Sequence, residues 1–185
     1  MTMRLEDAPD ALLAQRAKDG DDRAFAVLVR RHSPFLVAFA TRYLGGSADA
    51  DDVVQEALVA AWRRLDELRE PERIRSWLAT SVARRATDVL RTRARRDVQR
   101  LPEVEQADDR SPDPERAAEG RLATRALGDA LARLPREQRE VWLLREMAQL
   151  SYDEIAARVG EPTATVRGRL ARARSAVLAA MEGWR

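Results

Sequence analysis

The side chains whose spacing invites chemistry are arginines. From Thr163 to Arg185 the chain carries five arginines and one acid, a local balance of +4. Val166, Leu170, Ala173 and Val177 recur at steps of four, three and four, the period of a helix with one apolar stripe. The opposite face then holds Ala164, Arg167, Gly168, Ala171, Arg172 and Ser175. Arginine reaches guanine edges and phosphates, and Ala and Gly let a helix backbone sink into the major groove of DNA. A second cluster lies between residues 82 and 100, where seven arginines stand against Asp88 and Asp97 for a balance of +5. Arg84, Asp88, Arg91 and Arg95 fall on one helical stripe that can neutralise phosphates along a groove, with affinity that drops steeply as salt rises. A solvated helical face is the plain alternative for both clusters.

A third constellation is acidic. The run from Ser47 to Trp62 places its acids at a helix start, with Val54, Leu58, Ala61 and Leu65 as the inward stripe and Asp49, Asp52, Gln55 and Glu56 outside. The helix dipole favours such acids by about 0.3 to 1 kcal/mol each, which explains them without any partner. Equally, the patch suits a basic protein surface. Between this helix and the next, Glu67 to Arg75 forms a short polar loop beside Trp62 and Trp77. Single-stranded bases are bound by stacking and in pockets, so the loop can receive unstacked bases, although tryptophans are more often core residues. Trp142, Trp184 and Tyr152 read as packing residues.

These residues need helices to position them, and the apolar spacing is helical almost throughout. The fold class is therefore all-α. Helices are expected at 9 to 18, 22 to 44 with a kink or restart at Pro34, 48 to 66, and 72 to 96, with Gly20, Gly45, Gly46 and Pro71 at the boundaries. Residues 101 to 120 hold three prolines and seven acids against two arginines, which reads as a flexible acidic linker. Helical periodicity resumes with the stripe Leu122, Ala126, Leu127, Leu131 and Leu134, then Val141, Leu144, Arg145 and Ala148 on a helix after Pro135. In the final segment Ser151 and Glu154 match a capping box, Gly160 and Pro162 a tight turn, and Thr163 or a neighbour a second cap, together a helix-turn-helix. Two helical domains result, 1–97 and 121–185, joined by a linker over 98–120.

Composition closes off other classes. The chain has no cysteine, which excludes disulfides, thiolate zinc sites and a cysteine nucleophile and fits a cytoplasmic home. No apolar run approaches the ~18 residues of a membrane span, and the first residues lack the pattern of a signal peptide. His32 stands alone, so no metal and no cofactor are expected. Enzymatic activity is the least supported reading, because no nucleophile with its base, phosphate loop or metal cluster is visible. Net charge is only +2, so the distribution of arginine carries the argument; Lys18 is the single lysine.

Four segments in order resemble the extracytoplasmic-function (ECF) sigma factors of bacterial RNA polymerase, over nearly the whole chain. They are Asp49-Ala50-Asp51-Asp52-Val53-Val54-Gln55-Glu56, Trp77-Leu78-Ala79-Thr80-Ser81-Val82-Ala83-Arg84, Leu134-Pro135-Arg136-Glu137-Gln138-Arg139, and Thr165-Val166-Arg167-Gly168-Arg169-Leu170-Ala171-Arg172-Ala173-Arg174. The resemblance implies that domains 1–97 and 121–185 are sigma domains two and four. It implies core RNA polymerase as a partner through its β′ and β subunits, with Asp49, Asp51, Asp52, Gln55 and Glu56 on the β′ clamp. Arg84, Arg85, Thr87, Asp88 and Arg91 would meet the upstream minus-ten element, while Arg69, Arg73, Arg75 and Trp77, in and beside the Glu67 to Arg75 loop, would meet the melted strand. Thr163, Thr165, Arg167, Gly168, Arg169, Arg172 and Arg174 would read the minus-thirty-five element. Promoter DNA, double-stranded and melted, is thus the second partner; the linker threads toward the RNA exit path, and polymerase supplies the catalytic magnesium.

Two departures stand out. The family's loop often carries an aromatic where this chain has Leu68 or Ile74, and the chain stops soon after the helix-turn-helix. Regulation is then expected from outside, by an anti-sigma factor in this family. Two rivals of other classes remain: a stand-alone helix-turn-helix regulator, which needs no acidic patch, and a helical adaptor that never touches DNA.

Overall fold

A computed structural model describes residues 4–97 and 117–182, and each of these stretches forms a compact unit. The described residues form helices and turns, without strands. The first unit holds α1 (Asp10–Lys18), α2 (Asp22–Leu44), α3 (Ala50–Arg63) and α4 (Ile74–Asp97). The second holds α5 (Ala117–Ala132), α6 (Arg136–Trp142), α7 (Tyr152–Val159) and α8 (Thr163–Met181).

In the first unit α2 begins where the Asp21 carboxylate accepts from the backbone N–H groups of Arg23 and Ala24, and ends where Gly45 turns left-handed at φ 77°. The expected span of 22 to 44 is occupied by one helix without a restart, and Pro34 lies inside it. An interior proline costs about 3 kcal/mol. On either side of it Leu28, Leu36 and Phe39 are wholly buried, and each such burial contributes about 1.5 to 3 kcal/mol, so packing outweighs the broken bond. α2, α3 and α4 pack on one another around Leu28, Phe39, Val53, Ile74 and Leu78. α1 crosses α2 and rests on the single 3₁₀ turn Pro71–Arg73 that leads into α4.

The helices α3 and α4 start later than the expected 48 and 72 because their approaches are used as turns. Ala50 N–H bonds to Ser47 O before α3 begins, and Leu65–Glu67 and Pro71–Arg73 wind as short 3₁₀ turns. The buried stripe of α3 is Ala50, Val53, Val54, Ala57 and Ala61, and the expected Leu58 is only half-buried.

In the second unit α8 packs against α5, α6 and α7 around Leu131, Val141, Leu144, Ile155, Val166 and Leu170. α5 starts at Ala117, inside the span read as linker; residues 98–116, where the rest of that reading falls, lie outside the described residues, as does Trp184. Leu122, expected on the apolar stripe, is 48% exposed, because α5 begins to pack only near Ala126. α6 continues as a π-helical segment, Leu143–Met147, and two residues beyond it Gln149 has φ 60°. Among the described residues no helix is long and apolar enough to cross a membrane.

Candidate nucleic-acid interface

The helix-turn-helix is built as its sequence suggests on the α7 side. Ser151 accepts from Glu154 N–H at 3.2 Å, the Glu154 carboxylate accepts from Ser151 N–H at 2.7 Å, and Gly160 turns left-handed at φ 71°. The α8 side differs. Pro162 occupies the cap position without a side-chain bond, and Thr163 is the first helical residue. Its hydroxyl donates to Asp153 at 3.0 Å, so Thr163 clamps α8 to α7 instead of capping α8.

α8 buries Val166, Leu170, Ala173 and Val177 and leaves Ala164, Arg167, Ala171, Arg172 and Ser175 exposed, with Gly168 and Thr165 half-buried. The arginines of this helix then separate into two kinds. Arg169 reaches back across the turn to Glu161 at 2.8 Å, and Arg174 donates through Nε and Nη2 to Glu146 at 2.9 and 2.6 Å. The Glu146 carboxylate raises the Arg174 guanidinium above its ordinary range. Arg167 lies 5.3 Å from the Tyr152 ring, which has Arg145 at 5.0 Å as a second guanidinium neighbour. Arg172 is exposed and holds no ion pair among the described residues. The outward, available pair is therefore Arg167 and Arg172, with Gly168 between them; a Cβ built on Gly168 meets only Arg172 Nη1, at 3.6 Å.

On the first unit the acidic start of α3 lies against the basic α4. Asp51, Asp52 and Gln55 are exposed, whereas Asp49 pairs with Arg93 and Glu56 pairs with Arg85. Asp49 holds the cap position but makes no cap bond, because Arg93 takes its carboxylate. Arg84, Asp88 and Arg91 project outward on α4, Arg91 standing 3.8 Å from Asp88. Thr87 does not join them. Its hydroxyl donates to Ala83 O at 2.8 Å and meets the Tyr43 hydroxyl at 2.9 Å, facing α2 and the core.

Between α3 and α4 lies a groove of 430 Å³ lined by Glu56, Arg64, Glu67, Trp77, Arg84 and Arg85, among others. Trp77 is half-buried at its wall, whereas Trp62 packs against Phe25 with ring centroids 4.7 Å apart and the planes tilted at 46°. The Arg64 guanidinium donates to Glu67 at 2.8 and 2.5 Å and holds that carboxyl below the usual range. Arg69 is exposed, Arg73 half-buried, and Arg75 lies 3.9 Å over the Phe35 ring. Leu68 and Ile74 are 2% and 0% exposed, so neither can stack on a base. The Leu68 carbonyl accepts a 2.6 Å bond from Lys18 Nζ at the end of α1.

Two features escaped the sequence reading. Val59 is 52% exposed on the same side of α3 as Gln55, adding an apolar centre to a polar patch; it lies off the buried period, which was its only signal. Arg93 carries no local sign of its bond to Asp49, because the two are 44 residues apart. His32 is buried, with Nε2 2.7 Å from Asp10, and among the described residues no group of three or more potential ligands could hold a metal.

The chain matches the Sigma-70 region 2 family model over residues 28–96 and the Sigma-70, region 4 model over residues 124–177. RNA polymerase sigma factor CnrH of Cupriavidus metallidurans is 34% identical over 187 residues, 97% of each chain. RNA polymerase sigma factor NccH of Alcaligenes xylosoxydans xylosoxydans is 33% identical over 94% of this chain and 95% of its own length. The ECF RNA polymerase sigma-E factor of Escherichia coli K12 is 32% identical over 93% and 94%. Among solved structures, CnrH in complex with the cytosolic domain of CnrY is similar at 32% identity, with a TM-score of 0.60, covering 95% of this chain and 99% of that one.

Proposed function

The chain belongs to the ECF family of RNA polymerase sigma factors, and from that premise we propose how its two units divide the work of initiation. It binds core RNA polymerase and directs it to promoters through minus-ten and minus-thirty-five elements. The observation that carries this is the coincidence of each family match with one arginine-bearing unit. A stand-alone regulator or an adaptor would have no use for the region 2 half.

In our reading residues 1–97 engage polymerase and the minus-ten DNA, 98–120 are the linker, and 121–185 read the minus-thirty-five DNA. Asp51, Asp52 and Gln55, with Val59 at their side, form the polymerase-facing patch, and Asp49 and Glu56 flank it while tied to α4. Arg84, Arg85, Asp88 and Arg91 face the upstream minus-ten duplex. The 67–75 loop and the Trp77 groove face the melted strand, with Arg69 as its exposed cation. Arg167, Gly168 and Arg172 contact bases of the minus-thirty-five element, supported by Thr165; Arg169 and Arg174, held by acids, and Thr163, clamped to Asp153, position the helix.

Strand separation then follows from differential affinity: a surface that binds the open strand better than the duplex shifts the equilibrium toward opening. The chain itself performs no chemistry and works in the cytoplasm, where polymerase is. An anti-sigma protein is its regulator, a reading supported by the complex of the relative CnrH with the cytosolic domain of CnrY. Run-off transcription with core polymerase and a promoter library tests the whole assignment. Promoter-specific transcripts that appear only with the chain are expected, and none from any promoter rejects it.

A further inference from the structure

We infer that Lys18 is a positioning residue that holds the loop between α3 and α4 in the shape that receives melted DNA. The inference rests on the reading of that loop given above. Of 33 basic residues Lys18 alone is a lysine. It is the last residue of α1, is half-buried, and donates to the Leu68 carbonyl at 2.6 Å, fifty residues along the chain.

α1 is a stiff base from which to act. Leu13 and Ala14 are wholly buried, and its first residue, Asp10, accepts from Arg31 and lies 2.7 Å from His32 Nε2. Arg31 also donates to Ala8 O at 3.0 Å and to Glu6 O at 2.8 Å, closing the start of the chain onto α2. The other end of α1 meets the loop twice, through packing on Pro71–Arg73 and through Lys18. The loop has bonds of its own at each side, Leu68 N–H to Leu65 O at 3.1 Å and Arg73 N–H to Glu70 O at 2.9 Å. Lys18 grips the residue where those two turns separate.

A compact ammonium suits this contact. It is a point donor that approaches one carbonyl closely, whereas a guanidinium is a wide planar fork made for two acceptors. With Leu68 buried on its side chain and bonded at its carbonyl, the exposed neighbours Arg69 and Glu70 have a fixed starting point. Lys18 acts through this backbone and needs no contact with DNA.

The test uses the full chain with core polymerase, comparing Lys18→Met, Lys18→Arg and, as a direct probe of the loop, Arg69→Ala. Three quantities are read: core affinity, thermal midpoint, and binding of a single-stranded oligonucleotide carrying the non-template minus-ten sequence. Losing a hydrogen bond from a charged donor predicts about a tenfold loss of oligonucleotide affinity for Lys18→Met, with core affinity within about twofold. Lys18→Arg, keeping the charge but not the shape, should lie between. If Arg69→Ala weakens oligonucleotide binding and Lys18→Met does not, Lys18 has no positioning role. If Lys18→Met lowers core affinity and midpoint in step with oligonucleotide binding, the residue serves general stability and the inference is overturned. Unchanged binding by Arg69→Ala would instead remove the loop reading itself.

Discussion

The carboxylate of Glu56 on α3 and the guanidinium of Arg85 on α4 form an ion pair across one side of the groove between the two helices. A residue assigned to polymerase and one assigned to DNA thus neutralise each other in the free chain. Their side chains are 54% and 42% exposed, so the pair contributes at most about 1 kcal/mol and can be opened cheaply when a partner arrives.

This separates Glu56 from Asp52. Asp52→Arg should weaken core binding strongly, because its carboxylate is exposed and unpaired among the described residues. Glu56→Gln should weaken core binding less and raise the affinity of the chain for duplex DNA by releasing Arg85. Titrations with core polymerase and with promoter DNA at several salt concentrations check both, and equal effects of the two substitutions on core affinity contradict the distinction.

The arginines of α8 should divide in the same way. Arg172→Ala is expected to cost about 1 to 3 kcal/mol at the minus-thirty-five element and to relax preference at one base position. Arg169→Ala should cost less on DNA and show itself in stability, because its guanidinium is already occupied by Glu161. Competition binding across single-base promoter variants distinguishes base contact from phosphate contact.

Gly168 offers a substitution with opposite effects on two properties. A methyl group there meets nothing closer than 3.6 Å, and replacing a helical glycine by alanine gains up to about 1 kcal/mol. Gly168→Ala should therefore raise the unfolding midpoint while lowering minus-thirty-five affinity, if the helix backbone approaches the groove floor. Calorimetry paired with DNA titration decides it.

Thr87→Val should behave as a packing change. It removes the bond to Tyr43, a loss of about 1 kcal/mol, and should leave promoter preference intact. A shift in minus-ten specificity at unchanged stability would show that Thr87 turns outward when DNA binds.

Much of this architecture was written in local pattern. The α8 stripe of Val166, Leu170, Ala173 and Val177, the Ser151 capping box and the outward row Arg84, Asp88 and Arg91 all follow from helical periodicity, which depends on neighbours three and four residues away. What escaped depends on residues distant in sequence. Arg93 finds Asp49, Thr87 finds Tyr43, and Lys18 finds Leu68, each pair separated by more than forty positions. Leu122 and Leu58 misled for a related reason: a helix repeat names a face but not the neighbour that will cover it, and Leu122 lies on the uncovered first turns of α5 while Leu58 falls at the edge of the buried face of α3. At Pro34 the helix does not restart, because burial on both sides carries it through.

Gln149 holds a φ of 60° just ahead of the helix-turn-helix, a backbone setting that an L-residue adopts at a cost of roughly 1 kcal/mol. The direction in which α7 leaves the π-helical segment is thereby set by the handedness of one peptide unit. Tolerance at this position should be governed by crowding at Cβ: glycine can occupy it without that cost and asparagine at little cost, while β-branched valine or isoleucine would force the reading head out of alignment with the rest of its unit.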